Sequence, residues 1–415
     1  MKTNRRAFLG QLGLGVVALE AQGENYISNL PEESFWDALR SQFPLTDNRV
    51  YLNNGTFGPS PIPVINAIKN SLDKTNTSGE YGHTDKFREA LAKFVSVSEK
   101  EISLTHNTTE GINIICWGLS LKKGDEVIIS LHEHVGNALP WLNRAKLHGI
   151  KLIPFEPQPT SEENFDLIKS LISPRTKVIA IPHITCTTGQ VFPIKEISEM
   201  ARTKEIFTAI DGAHGAGTFN LDLKELGCDS YATSCHKWML GPNGTGFLYI
   251  REEHLETLQA YQVGAYSDSG WNLYSKPPKI LGYNPSAHRF DYGSQSTPLY
   301  AGAAASVAFH ENIGKKKVED RLRELSNYLY MGLSQFTEKL DILTPNKEKS
   351  RICMVTFKPK EMDYREFSKK ASQNGFRIRV VPESKLDAIR ISTHVYNSKT
   401  QIDDFVTFTK NTLYG

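Results

Sequence analysis

Apolar residues along this chain fall into two rhythms. Phe87, Leu91, Phe94 and Val95 recur at the spacing of one helical face, and Ile102–Leu104 after them predicts a short strand. Further runs follow at 126–129, Lys151–Pro154, Val178–Ile181, Ile206–Ile210 and Phe247–Ile250. These runs are short, continuous and rich in β-branched residues, and most are separated by enough chain for a helix. Unbroken apolar runs suit strands buried on both faces, so the pattern predicts an α/β fold with a mainly parallel sheet covered by helices. From Leu299 the rhythm changes. A long charged helical stretch runs to Lys339, followed by a strand at Ile352–Phe357 that contains Cys353. A helix near Tyr364–Asn374 and strands near Phe376–Val381 and Ala388–Ser392 complete an α+β pattern. The division this suggests is a large domain over 46–298 and a smaller domain formed by 22–45 with 299–415. Lys315-Lys316-Lys317 reads as a solvated helix face.

The first 21 residues read differently. Lys2, Arg5 and Arg6 precede the glycine-diluted apolar run Ala7–Leu19, the layout of a signal peptide. As a helix that run would span about 20 Å, short of a hydrocarbon core of about 30 Å. Arg5-Arg6-Ala7-Phe8-Leu9 resembles a twin-arginine export signal, with Asn4 and Gly10 departing from the usual pattern. That resemblance implies recognition by export machinery and a periplasmic or other extracytoplasmic location; without it the location would be cytoplasmic. No segment reaches 18 unbroken apolar residues, so no membrane anchor is expected.

Charge refines this division. The chain has 415 residues, with 48 Lys+Arg against 46 Asp+Glu. Removing residues 1–21 leaves 45 against 45, so the surplus belongs to the leader. A neutral body argues against a nucleic-acid partner held through phosphates. Five cysteines (Cys116, Cys186, Cys228, Cys235 and Cys353) fit neither a disulfide framework nor a paired metal motif.

Ligands of open α/β sheets gather beyond the carboxyl ends of the strands, so the residues there are the candidates. Thr108 and Thr109 follow the first strand and open a helix, where hydroxyls and free N–H groups either cap the helix or hold an anion. His132 and His134 follow the second strand; no third ligand is evident, and no metal site is expected. Asp211 ends the Ile206 strand, as a helix cap or a ligand group, with His214 three residues on. Ser234, His236 and Lys237 precede a glycine-rich stretch that lacks the Gly-x-Gly-x-x-Gly order and reads as a turn. A hydroxyl-lined helix start, a histidine, an aspartate and a His-Lys pair together suit a phosphate, an aromatic ring with a basic nitrogen, and an aldehyde that needs an amine.

That cofactor is pyridoxal 5′-phosphate. The runs NTTEGIN, HEHVGN, DGAHGAG and SCHKWMLGPNGTGFLYI resemble those of class V aminotransferase-fold enzymes, which include the cysteine desulfurases and the isopenicillin N epimerase-like branch. The resemblance implies the fold type I architecture of pyridoxal-phosphate transferases. It gives Lys237 the role of Schiff-base lysine, Asp211 that of partner to the pyridine nitrogen, and His134 that of the ring-stacking imidazole. Thr108, Thr109, Ser234 and His236 become the phosphate cup, and His214 lies near the ring hydroxyl. Arg390 holds the substrate carboxylate, with Arg379 as a weaker candidate, and Asn53 and Asn54 form a substrate-facing turn. Tyr292-Gly293-Ser294-Gln295 aligns with a loop that reaches a neighbouring subunit's phosphate, which implies a homodimer with shared sites.

The implied activity is on an α-amino acid or an amino-acid-containing peptide with a free amine, through an external aldimine. Epimerase or aminotransferase-type chemistry ranks first and β-elimination of the C–S lyase type second. A non-catalytic protein that binds the cofactor is the reading from a different class. Desulfurases carry a nucleophilic cysteine between the two arginine strands; here Val380–Asp387 has none, which disfavours persulfide chemistry.

Overall fold

The computed structural model describes residues 32–415; the signal-peptide reading of residues 1–21 lies outside them. The main sheet contains β2 (Ile102–Thr105), β3 (Glu126–Ser130), β4 (Lys151–Phe155), β5 (Thr176–Pro182), β6 (Phe207–Asp211), β7 (Ser230–Ser234) and β8 (Gly246–Ile250). Their order is β2-β8-β7-β6-β5-β3-β4. Strands β4, β3, β5, β6 and β7 pair in parallel, while β8 runs antiparallel to both β7 and β2. The carboxyl ends of the other strands therefore share one edge. Helices α4 (Thr108–Gly118), α5 (Val135–His148) and α7 (Ile194–Arg202) cover the faces. Residues on both faces of the sheet are buried, as the continuous apolar runs require.

Strand β7 has no apolar run, and periodicity misses it. Its five residues are nevertheless all buried. Packing and partners replace hydrophobicity here: the Thr233 hydroxyl donates to the Gly212 carbonyl at 3.0 Å, and the Ser234 and Thr108 hydroxyls meet at 2.8 Å. Asp211 caps no helix, because a turn follows β6 and the Asp211 carboxylate accepts the Ala213 N–H at 2.9 Å. That turn is packed too closely to admit side chains: a Cβ on Gly212 would lie 1.9 Å from the Tyr231 ring.

The carboxyl-terminal part differs from the sequence reading in three places. The long helical stretch breaks at Gly314, whose φ of 95° suits glycine, giving α9 (Thr297–Ile313) and α10 (Lys315–Leu333). The expected strand at Ile352 begins later, as β12 (Met354–Pro359), so Cys353 precedes it. The three lysines are not one solvated face: Lys315 donates to the Phe94 carbonyl at 2.8 Å and Lys317 lies 3.3 Å from the centre of the Phe35 ring, so only Lys316 is exposed.

Strands β11 (Leu340–Ile342), β12, β15 (Ala388–Ser392) and β14 (Arg379–Val381) form a separate antiparallel sheet in that order. Leu325, Leu329 and Leu333 of α10 pack into its core with Val355, Phe357, Ile389, Ile391 and Phe405. Truncating such a leucine to alanine costs about 2–5 kcal/mol. Strand β1 (Val50–Tyr51) pairs in parallel with β13 (Phe376–Arg377), and Asn53 bridges to Ser392. These contacts bring the turn at residues 53–58 between the two sheets.

Candidate active site

Lys237 lies in the tight connection after β7. The carbonyl of His236 accepts the Gly58 N–H at 2.7 Å, so the turn from the other sheet rests against the lysine's own backbone. Any side chain at position 58 would collide there, since a Cβ would lie 1.9 Å from the Lys237 carbonyl oxygen. The Lys237 amine is 3.4 Å from His214 Nε2. Burial lowers the lysine pKa, an effect that Asp211 and Cys186 oppose and Arg390 and Arg379 reinforce. A neutral amine is the form that attacks a carbonyl.

His214 has a defined tautomer. The indole N–H of Trp238, which can only donate, points at His214 Nδ1 at 2.9 Å. Burial, then the charge of Lys237, holds the His214 pKa well below its usual range. A neutral ring accepting at Nδ1 carries its proton on Nε2, the atom facing Lys237. Trp238, one residue after the lysine, thus positions the proton of His214, a role that its place in the run SCHKWMLG does not mark.

Asp211 is buried at the end of β6, and burial raises its pKa against the opposing influence of Lys237. A cationic partner at this carboxylate would offset the burial, which is what a protonated pyridine nitrogen supplies. Glu133, also missed in the sequence, is buried within electrostatic reach of Asp211; burial and that neighbour push its pKa well up, while the Asn137 side-chain amide opposes them. His134 caps α5 by accepting the Gly136 N–H on Nδ1 at 3.0 Å. Its pKa is lowered to about 4 by burial and then by Lys237, so the ring is neutral at about pH 7. His132 contacts Glu156 at 3.0 Å and Thr187 at 3.1 Å.

Thr108 and Ser234 come together although they are far apart in the chain: the Thr108 N–H donates to Ser234 Oγ at 2.9 Å. Asn107, not Thr108, caps α4 through the Glu110 N–H. Thr109 lies on the exposed side of the same helix start, and His236 keeps a buried Nδ1 without a partner. An orphaned ring nitrogen, two hydroxyls at a helix start and the amine of Lys237 fit a phosphate at one end and an aldehyde at the other. Ser294 is exposed and joins none of these groups.

Arg390 is buried on β15. Its guanidinium donates to the Cys186 carbonyl at 2.5 Å and to the Thr56 hydroxyl at 3.1 Å, and its Nε has no partner. Thr56 in turn donates to Asn53 Oδ1 at 2.9 Å. Asn53 therefore reaches Arg390 through Thr56, a residue the sequence gave no reason to choose. Asn54 spends its amide on the Tyr396 hydroxyl at 3.0 Å and on the Lys237 carbonyl at 3.5 Å. Cys186 lies beside this group with its thiol pushed up to about 11, chiefly by burial.

The family model for aminotransferase class V matches residues 51–405. The chain belongs to this family. It is 31% identical over 397 residues to a probable cysteine desulfurase of Halalkalibacterium halodurans, an alignment covering 88% of this chain and 95% of that one. Against the isopenicillin N epimerase of Streptomyces clavuligerus it is 27% identical over 395 residues, covering 89% and 96%. Among solved structures, a lysine-to-alanine variant of C-DES with glycine covalently linked to its pyridoxal-phosphate cofactor superposes with a TM-score of 0.81. The identity is 26%, and the match covers 89% of this chain and 98% of that one. This class V chain is a pyridoxal-phosphate enzyme of the fold type I architecture, and the reading of a non-catalytic binder is set aside.

Proposed function

We propose that this enzyme acts on an α-amino acid, or a peptide bearing one, with Lys237 moving the Cα proton in epimerase or aminotransferase-type chemistry. The cofactor, when bound, supplies an electron sink for the carbanion left at Cα. The protein's part is positional. Arg390 holds the carboxylate, Asp211 holds the ring nitrogen's proton, and burial shifts Lys237 toward the neutral amine that takes the Cα proton. The observation that carries this reading is the Lys237 amine beside neutral His214, with Arg390 acting on both.

β-Elimination of the C–S lyase type is the second reading. It is supported by the similarity to a complex between the cystine C–S lyase C-DES and cysteine persulfide, at 26% identity and a TM-score of 0.81. Desulfurase chemistry is disfavoured: all five cysteines are buried, burial raises every thiol pKa, and the turn between β14 and β15 has none. Incubating the loaded enzyme with amino acids and peptides in heavy water separates these outcomes. Deuterium at an inverted Cα marks epimerisation, a keto acid from the intact skeleton marks transamination, and a keto acid with a released β-group marks elimination. No exchange, product or change in the cofactor's absorbance with any substrate would overturn the proposal.

The proposal extends to a homodimer and to export. Exposed Ser294 is free to serve a partner's phosphate cup, and Trp271, Leu273 and Leu281 of the hairpin over residues 268–283 are also exposed. Restored activity on mixing inactive Lys237→Ala and Ser294 variants is the expected result for shared sites. Arg5 and Arg6 support an extracytoplasmic location; replacing both with lysine should stop export.

A further inference from the structure

The turn between β14 and β15 contains polar groups that the roles above leave unused. Arg379 stands directly opposite Arg390 in the antiparallel register of these strands. Like charges in that position repel, and Glu383 lies between them in charge terms: its Oε1 accepts from Arg379 Nη2. The pairing is one-sided. Arg379 Nη1 and Glu383 Oε2 are both buried and have no partner, and the adjacent Arg390 Nε is a third such atom. Arg390 itself is 1% exposed.

These orphan groups border the site residues, with Arg379 across the strand pair from Arg390. Arg379 and Glu383 act electrostatically on His134 and on Cys186, and Arg379 acts on Lys237 as well. The Ser384 hydroxyl donates to the Leu131 carbonyl at 2.7 Å, tying the turn to the loop that delivers His134. Ser384, Lys385 and Asp387 all have φ between 51° and 56°, a conformation that L-residues adopt at a cost. The chain is thus held in an unfavourable turn that places Glu383 against Arg379.

We propose that Arg379 and Glu383 form a subsite for the far end of the substrate side chain, and that it takes a net-neutral head group that both donates and accepts hydrogen bonds. One unpaired N–H beside one unpaired carboxylate oxygen is complementary to an amide, or to a distal ammonium and carboxylate together. An apolar side chain would leave both atoms unpaired, and a singly charged one would disturb the neutral pair. Buried groups left without partners are what makes a polar site reject such analogues. The inference rests on the proposed amino-acid substrate and names its side-chain class.

The test is a titration of the cofactor-loaded enzyme, read as the change in the cofactor's visible absorbance band. The probes are glutamine for the amide, cystine for the amino-carboxylate, norleucine for the apolar case, and glutamate and lysine for single charges. The wild type should bind glutamine or cystine about tenfold or more tightly than norleucine, glutamate and lysine. Glu383→Gln should reduce that preference to less than about threefold. Its melting temperature and cofactor loading show that it is folded. A preference for glutamine alone assigns the subsite to amides, and one for cystine alone to amino-carboxylates. Equal affinities across the probes, or a preference untouched in Glu383→Gln, overturn the subsite while leaving the amino-acid reading in place. If none of these probes, and no other amino acid or peptide, perturbs the band of a loaded wild-type enzyme, the amino-acid reading itself fails.

Discussion

The cofactor rim and the substrate rim of this site are built in contrasting ways. The cofactor rim lies on the carboxyl ends of the parallel strands, and most of its groups are already engaged: Thr108 with Ser234, Trp238 with His214, Asp211 with the Ala213 N–H. The substrate rim lies on β14, β15 and their connecting turn. It carries two opposed arginines, three residues with positive φ, and open atoms on Arg379, Glu383 and Arg390. The contrast teaches that a group shared by every turnover is met by a surface most of whose groups are already paired, His236 Nδ1 being the exception. A variable side chain is met by atoms whose partners arrive with it.

The largest expected effect breaks the cofactor rim outright. Lys237→Ala should abolish the visible absorbance band and lower turnover by about a thousandfold or more, checked by absorbance and steady-state kinetics. Arg390→Ala should break only the other rim. Cofactor loading stays, while KM rises about a hundredfold as a buried charged hydrogen bond is lost. If both variants lose the cofactor equally, the two rims are one unit and the comparison fails.

Trp238→Phe sharpens the picture within the cofactor rim. Without the indole donor, His214 is free to place its proton on Nδ1. Turnover should fall about tenfold with a changed pH profile while the cofactor stays bound. The nitrogen shifts of His214 would report the tautomer directly. An unchanged tautomer removes Trp238 from its positioning role.

The smallest effect concerns acid. His134 and His236 are lowered to about 4 in the folded protein, from an ordinary value near 6.5. The unfolded chain binds more protons across that interval, so stability rises with pH from about 4 to 6.5 and is lost on acidification. The cofactor-free protein should melt at progressively lower temperature from pH 7 to pH 5. His236→Asn should flatten that slope, and an unchanged slope in that variant would remove His236 from this account.

Part of the cofactor rim was legible from local sequence, because Asp211 and His134 follow strands written as apolar runs. Asp211 ends Phe207–Asp211, and His134 follows Glu126–Ser130 by four residues. Strand β7 was not legible, since Ser230–Ser234 has no run of apolar residues to mark it. Thr56 and Glu383 were missed for another reason. Each is an ordinary polar residue in a turn, and it gains meaning only from the arginine it meets.

The sequence by itself determined the parallel α/β pattern, through short-range periodicity, and the family, through the motifs whose resemblance singled out Lys237, Asp211 and Arg390. Only the tertiary structure decided which atoms remain free. Thr56 reaches Arg390 across 334 residues of chain, Thr108 reaches Ser234 across 126, and Arg379 faces Arg390 through strand register. Strand order and register set those meetings, and hydrogen-bond satisfaction is a property of the meeting and not of either residue alone.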